Sequence, residues 1–295
     1  MKALLAEGRK RLFAEREKRI KPGRDEKVLT SWNGLMISGF LDGFKVTGDV
    51  KYLDGAKEAV RFILQEMRKE GGLMRVFNRG RSRVKGYSED YAFFIQALVD
   101  LYEATFETEW LKEADDLNSR MIHQFWDERN GGFFFSGEEN ESLIAQSKSP
   151  YDNAIPSSNS VAVSNLLKLG YLTGEDSLKQ KAEQILRLFY SFLSEHPSGF
   201  AQMLCGFSFF IGPEEVGIVG SKDDLRTQLM VKKIYLAFLP NKILSLKDPK
   251  EEIKGNWLPF LRGVKVTGAP AAFICKGFTC LPPVRDEKEL GKILS

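Results

Sequence analysis

A unit that recurs three times constrains this chain more than any other feature. A polar and aromatic leading segment opens an apolar helix, a short turn follows, and a more charged helix ends in a Gly-and-aromatic segment. The first copy runs from Ser31-Trp32-Asn33-Gly34 through Phe44-Lys45-Val46-Thr47-Gly48 and Tyr52-Leu53 to Gly71-Gly72-Leu73. The second runs from Ser88-Glu89-Asp90-Tyr91 through Tyr102-Glu103-Ala104-Thr105-Phe106 and Trp110-Leu111 to Gly131-Gly132-Phe133-Phe134-Phe135. The third runs from Asp152-Asn153 and Pro156-Ser157-Ser158-Asn159 through Gly170-Tyr171-Leu172-Thr173-Gly174 and Leu178 to Ser198-Gly199-Phe200. One helical hairpin cannot bury its own apolar face, so its neighbours must cover it. The repeat also sets three leading segments at equivalent ends of three first helices, where a shared site would be built.

Apolar residues at helical spacing, such as Leu35, Met36, Phe40 and Phe44, or Phe94, Leu98, Leu101 and Tyr102, or Val163, Leu166, Leu167 and Tyr171, mark the first helix of each pair. The second helices carry more charge. Two layers satisfy both patterns: a mainly α, (α/α) toroid of helical hairpins with apolar inner and half-wet outer helices, its pairs at about residues 31–70, 88–127 and 159–196. Thr30 or Ser31, then Ser88, then Ser157 or Asn159 are the expected caps. Residues 2–20 read as a charged amphipathic helix with Leu4, Leu5, Leu12, Phe13 and Ile20 near one stripe. Gly72 to Phe77 with Asn78-Arg79-Gly80 reads as a hairpin, and Gly132 to Ser136 with Leu143-Ile144 as another. From Glu214 the pattern changes to short strands around a helix: Val216 to Val219, Lys222 to Leu239, Lys242 to Leu246, Ala271 to Cys275, with a closing helix over 286–293. The expected division is a partial toroid over 1–213 and a small α/β lobe over 214–295.

A net charge of +3 is small for 295 residues and gives no reason to expect nucleic acid or an anionic membrane as partner. The longest apolar stretches are too short to span a bilayer. The first residues lack a secretory apolar core, so the expected location is the cytoplasm. Three cysteines do not make a disulfide framework. Cys205 sits in an apolar run and reads as a small buried hydrophobe. Cys275 and Cys280 have neither thioredoxin-like nor zinc-knuckle spacing. With two histidines in the chain, no multi-histidine metal centre and no cofactor are expected, and His123 and His196 read as structural.

The leading segments hold the residues suited to chemistry. Trp32 and Asn33 suit a sugar, the indole covering C–H faces and the amide bonding hydroxyls; packing of the rim and backbone capping is the alternative. Glu89, Asp90 and Tyr91 open the second inner helix. A carboxylate in an aromatic pocket there would have the raised pKa a general acid needs, whereas the plainer reading is a pair stabilising the helix N-terminus. The stretch with Asp152, Asn153, Ser157 and Asn159 is longer and more polar than a cap requires, so it is expected to line a site. Glycoside hydrolysis needs two carboxylates roughly 5–10 Å apart, and the candidates are Asp25, Glu89, Asp90 and Asp152. Arg79, Arg81, Arg83 and Lys85 form a basic hairpin that reads as a solvated turn, with recognition of phosphate or carboxylate as the alternative.

Four stretches resemble a known family. Asp25 to Ile37 resembles its DDK-x-L-T-S-W-N-G-L-M-I segment, and Gly86 to Phe93 its G-Y-L-x-D-Y-A-F. Asp152 to Ala162 resembles D-x-A-x-P-S-G-N-S-V-A, and Phe273 to Cys280 a C-terminal Y-V-C-x-x-x-x-C. The family is that of thioredoxin-domain-containing proteins related to spermatogenesis-associated protein twenty. Glu26 stands where an Asp is usual, and Ser158 where a Gly is usual, which bears on any role needing close backbone approach there. The resemblance implies the C-terminal half of such a protein: a barrel similar to six-hairpin glycosidases and N-acylglucosamine 2-epimerases, with a carbohydrate-like pocket. It implies a thioredoxin-like domain or the other half of the protein as partner. At about 60 residues per unit, three hairpins are too few for a closed ring, so a fragment, a split gene product or an open arc completed by a partner is expected. The main functional expectation is a module binding or acting on a carbohydrate-like small molecule. Within that class epimerisation is disfavoured, because the related epimerases use histidine pairs and neither histidine here lies in a leading segment. The other expectation is a non-catalytic module serving a thioredoxin-like domain, with Cys275 and Cys280 as redox candidates.

Overall fold

The computed structural model describes residues 1–141, 144–251, 257–265, 268–277 and 279–294. Helix α1 (Lys2–Glu17) comes first and buries none of its residues, so its expected apolar stripe lies in solvent. Strand β1 (Val28–Leu29) leads into α2 (Thr30–Thr47) and α3 (Val50–Glu66). Strands β2 (Arg68–Lys69), β3 (Gly72–Asn78) and β4 (Arg81–Lys85) follow, then α4 (Ser88–Thr105), α5 (Thr108–Phe125), α6 (Ser158–Thr173), α7 (Asp176–Leu188), α8 (Tyr190–Glu195) and α9 (Ala201–Ile211). The lobe comprises β5 (Glu214–Val219), α10 (Leu225–Leu236), β6 (Lys242–Lys247), β7 (Ala271–Lys276), β8 (Thr279–Cys280) and α11 (Glu287–Ile293).

The helices form two layers of an (α/α) toroid. α2, α4, α6 and α9 pack side by side as the inner row, and α3, α5 and α7 each fold back on their own inner helix. Burial tracks position in this row. In α4, 15 of 18 residues are buried, and in α6, 13 of 16, because each is covered on both flanks and by its outer mate. α2 buries 6 of 18 and α9 only 3 of 11, since each forms an edge of the arc. Close approach within the row needs glycine. A Cβ on Gly34 would meet the Phe93 carbonyl carbon at 2.7 Å, and one on Gly206 would meet Val163 Cγ1 at 2.8 Å.

The repeat is visible atom by atom at the far ends of the inner helices. Thr47, Thr105 and Thr173 each donate a hydroxyl hydrogen bond to the carbonyl four residues back, at 2.7, 2.8 and 2.8 Å. Each helix then stops on a left-handed residue: Gly48 (φ 72°), Phe106 (φ 56°) and Gly174 (φ 76°). An acidic residue, Asp49, Glu107 or Glu175, starts the outer helix. Phe106 is the exception in this series. Its ring belongs to the core of the lobe, so the bulk that makes the left-handed conformation costly also anchors the lobe to the toroid.

On the rim, β1, β3 and β4 form an antiparallel sheet, extended by β2 on β3. In the lobe the order is β6-β5-β7-β8, with β5 and β6 parallel across α10 and the others antiparallel. The lobe's first strand starts at Glu214, where the composition changes.

Five expectations are corrected. The apolar run that includes Cys205 is a fourth inner helix, α9, and Cys205 is exposed because this helix lies at the edge of the arc. The segment Gly132 to Ser136 does not pair with Ile144: Phe133 bridges to Trp126, and Phe135 donates its N–H to Ser147 at 2.8 Å, while Leu143 lies outside the described residues. The first two inner helices are not capped by Thr30, Ser31 or Ser88. Thr30 instead donates its hydroxyl to the Met74 carbonyl at 2.6 Å, and Ser88 bonds across to Ser158. The first helix ends at Glu17, not residue 20, and Ile20 lies beyond it in solvent. Cys275 and Cys280 are not free thiols. They are joined in a disulfide across β7 and β8. Leu281 donates its N–H to the Ile274 carbonyl at 2.9 Å, which makes the cysteines a non-hydrogen-bonded pair, the register that brings facing side chains closest.

Candidate functional site

The leading segments meet at one end of the inner row, and their polar side chains stitch neighbouring helix tips together. Asp90, in the first turn of α4, is fully buried. Its Oδ1 accepts the Ser31 N–H of α2 at 3.0 Å, while Oδ2 accepts its own leading Tyr87 N–H at 2.9 Å and Arg75 Nη1 at 3.0 Å. Ser88 Oγ bonds Ser158 Oγ at 2.9 Å, joining the tips of α4 and α6. Asp152 then reaches α9: its Oδ2 accepts the Gln202 and Met203 N–H groups at 2.8 and 3.3 Å, and its Oδ1 accepts Ser157 N–H at 2.9 Å. Both carboxylates thus lie where a helix N-terminus offers unpaired N–H groups. Burial pushes the Asp90 carboxyl above its usual range, and Arg75 with the two backbone donors pulls it back part of the way.

Other expected site residues are also anchored. Ser157 Oγ caps α6 by accepting Ser160 N–H at 3.0 Å. Asn159 pairs in both directions with Phe133, accepting its N–H at 2.8 Å and donating to its carbonyl at 3.0 Å. The Tyr91 hydroxyl accepts Leu73 N–H at 2.9 Å. Asn33 donates to the Leu29 carbonyl at 2.8 Å. Asn153 is exposed. Asp25, ahead of β1, pairs with Lys27 at 3.1 Å and its side chain is 67% exposed.

The groups left facing outward form a smaller set. Trp32 is 61% exposed, one residue beyond the Ser31–Asp90 bond. Glu89 pairs with Arg75 at 2.8 Å and keeps 16% of its side chain accessible. Arg75 lies over the Tyr87 ring, 5.1 Å from its centre, and that ring stacks on Phe135 at 4.8 Å. Trp32, Asp90 and Asp152 do not share one surrounding: Asp90 belongs to the α2–α4 junction and Asp152 to the α6–α9 junction. Arg75, which joins Glu89 and Asp90, was not singled out from the sequence. Its only signal there is a cation inside an otherwise apolar strand. Among the described residues no group of three or more His, Cys, Asp or Glu is arranged to hold a metal ion, and no helix is long and apolar enough to cross a membrane.

The far end of the inner row contrasts with the tips. Lys168 of α6 lies 2.8 Å from Glu103 and 3.6 Å from Asp100, both on α4. Glu103 also accepts the Leu244 N–H of β6 at 3.1 Å, and its carbonyl accepts the Tyr235 hydroxyl of α10 at 2.8 Å. Burial alone would raise the Asp100 pKa, but Lys168 and Lys45 outweigh it and hold the carboxyl below its ordinary value. Burial likewise opposes the charge on Lys168, and Glu103 with Asp100 overcomes it, raising that pKa.

The chain is similar to spermatogenesis-associated protein 20 of Homo sapiens, 32% identical over 308 residues, which covers all of this chain and 39% of the relative. An uncharacterized protein of Caenorhabditis elegans is 29% identical over 305 residues, covering all of this chain and 41% of that protein. The chain thus spans about two-fifths of the length of these relatives. Among solved structures, a GH76 α-mannanase of Bacteroides thetaiotaomicron is 17% identical with a TM-score of 0.49, over 58% of this chain and 46% of that one. Cellobiose 2-epimerase from Bacillus thermoamylovorans matches with the same identity, TM-score and coverage. The likeness to both is one of fold. The model of glycosyl hydrolase family 76 matches residues 2–197, about two-thirds of the chain and its three helix pairs, and the chain belongs to that family.

Proposed function

We propose that the inner-helix mouth takes a carbohydrate-like small molecule and that the chain acts on a glycoside there. The observation that carries this reading is the exposed Trp32 indole at the α2 tip, in sequence next to Ser31, whose N–H bonds Asp90, the residue that shares Arg75 with Glu89. An indole offers an apolar face to the C–H side of a sugar ring, and the adjacent charged pair offers hydrogen-bond partners to its hydroxyls. Glu89 is the carboxylate of the pair that solvent reaches, so it takes the acid–base role, its proton exchanging as the Arg75 contact opens. Asp90 is a positioning residue that fixes Arg75 and the two tips. Asp152, held by three backbone donors, is likewise a positioning residue, and Asp25 pairs with Lys27, which lines a separate hollow. Hydrolysis is favoured over epimerisation because neither His123 nor His196 belongs to a tip. A panel of aryl mannosides and glucosides tests it. Glu89→Gln is expected to lower kcat at least about 100-fold with the fold intact, as loss of a general acid does; equal turnover in the variant removes the hydrolytic reading.

The disulfide favours a second reading, in which the lobe exchanges electrons with a thioredoxin-like partner. A partner thiolate attacks one sulfur, forms a mixed disulfide and expels the other as thiolate; the partner's second thiol then resolves it, leaving Cys275 and Cys280 reduced and the partner oxidised. Cys280 is exposed to such attack. Thiol titration after incubation with reduced thioredoxin is expected to gain two thiols over the one of Cys205; no gain sinks this reading.

A further inference from the structure

The outer face of the rim hairpin carries a hollow that the mouth does not use. Successive β3 residues point to opposite faces. Arg75 turns toward Glu89 and Asp90, and Phe77 packs edge-on against Phe62 of α3 at 5.0 Å. Val76 and Asn78 face the other way. With Lys27, Arg79, Arg83 and Val84 they line a hollow of about 370 Å³.

Two features set this hollow apart. The first is charge. Three cations line it and no carboxylate does. Lys27 pairs with Asp25 at 3.1 Å in an exposed ion pair, which contributes little. No hydrogen bond or ion pair engages the Arg79 or Arg83 guanidinium among the described residues, which is true also of Arg61 and Arg81. The second is backbone strain. Non-glycine residues in the left-handed region number five among the described residues, and two of them, Arg79 (φ 49°) and Val84 (φ 62°), line this one hollow. Arg79 takes the turn position that Asn or Asp ordinarily fills before Gly80. For a branched residue such as Val84 the conformation is a true outlier, and outliers of this kind collect where a ligand is held.

We propose that this hollow binds a small oxyanion, the phosphate ester or carboxylate of a sugar-sized molecule. Two guanidinium forks can each take an oxyanion through paired N–H donors, and the Lys27 ammonium adds a third positive charge. Val76 and Val84 supply an apolar wall for the body that carries the anion. The site lies on the face of β3 away from the mouth, so it does not depend on turnover there.

Calorimetric titration of the full chain with inorganic phosphate, glucose 6-phosphate, glucuronate and glucose tests the proposal. Saturable binding is expected for the three anions and not for glucose. Tighter binding of glucose 6-phosphate than of inorganic phosphate would point to an anion borne on a sugar, and equal binding to the free anion. The Arg79→Gln, Arg83→Gln double variant is expected to weaken binding at least about tenfold with Tm unchanged, as both side chains are at the surface. Val84→Gly is expected to relax the strand and weaken binding without lowering Tm. No saturable anion binding, or an affinity indifferent to the double variant, overturns the proposal.

Discussion

The two ends of the inner row use acidic residues in opposite ways. At the tips, Asp90 and Asp152 accept backbone N–H groups from neighbouring helices, and one arginine reaches one of them. At the far end, Asp100 and Glu103 share Lys168, and Glu103 also grips the lobe. The difference follows from helix electrostatics. An N-terminus presents unpaired N–H donors and a positive dipole end, so a carboxylate there is satisfied locally. A C-terminal end presents neither, so acids there need a cation. A carboxylate in a leading segment is therefore not by itself a sign of catalysis, and the group to watch is the one the tips leave reachable, Glu89.

The largest effect should come from unbalancing the far end. Lys168→Met leaves the buried Glu103 without its cation and Asp100 with Lys45 alone, and is expected to cost about 3 kcal/mol in denaturant unfolding. At the tips, Asp90→Asn keeps one acceptor oxygen but not both. It should cost about 1–3 kcal/mol, the penalty of a stranded buried donor. Asp152→Ala removes the cap of α9 and is expected to cost about 1–2 kcal/mol. Acid titration separates the two ends further. The folded pKa of Asp100 is depressed, so its contribution is present above the unfolded value of about 3.9 and is lost as pH falls through the lower folded value. The Asp90 carboxyl is raised, so it gives no such acid-side loss. Asp100→Asn should therefore flatten the acid limb of the stability curve, and Asp90→Asn should not. The smallest stability effect belongs to Trp32→Ala, within about 0.5 kcal/mol for an exposed side chain. Equal costs for Trp32→Ala and Asp90→Asn would erase the distinction between anchored and available tip residues.

The hairpin array and lobe strands were legible because each rests on a periodic signal: helical spacing of Phe94, Leu98 and Leu101, or the short β-branched run at Val216 to Val219. α9 was not, because its apolar residues run nearly all round and no polar face marks a period. The helix N-terminus placement of Asp90 was the plainer reading, but the bonds that Asp90, Asp152 and Asn159 make to other hairpins were hidden for another reason. Their partners are backbone N–H and C=O groups on other hairpins, which every residue carries and no side-chain pattern reveals. The Cys275–Cys280 bond was missed because it depends on strand register, set by a turn whose shape spacing alone does not fix.

The most direct test uses the indole at the mouth. Of four tryptophans, Trp32 is the one 61% exposed, while Trp110 and Trp126 are buried. Its fluorescence can be titrated with manno- and gluco-oligosaccharides, with Trp32→Phe as the control. A saturable spectral change that vanishes in Trp32→Phe is the predicted result. No change with any saccharide, or the same change in the variant, contradicts a sugar-binding mouth.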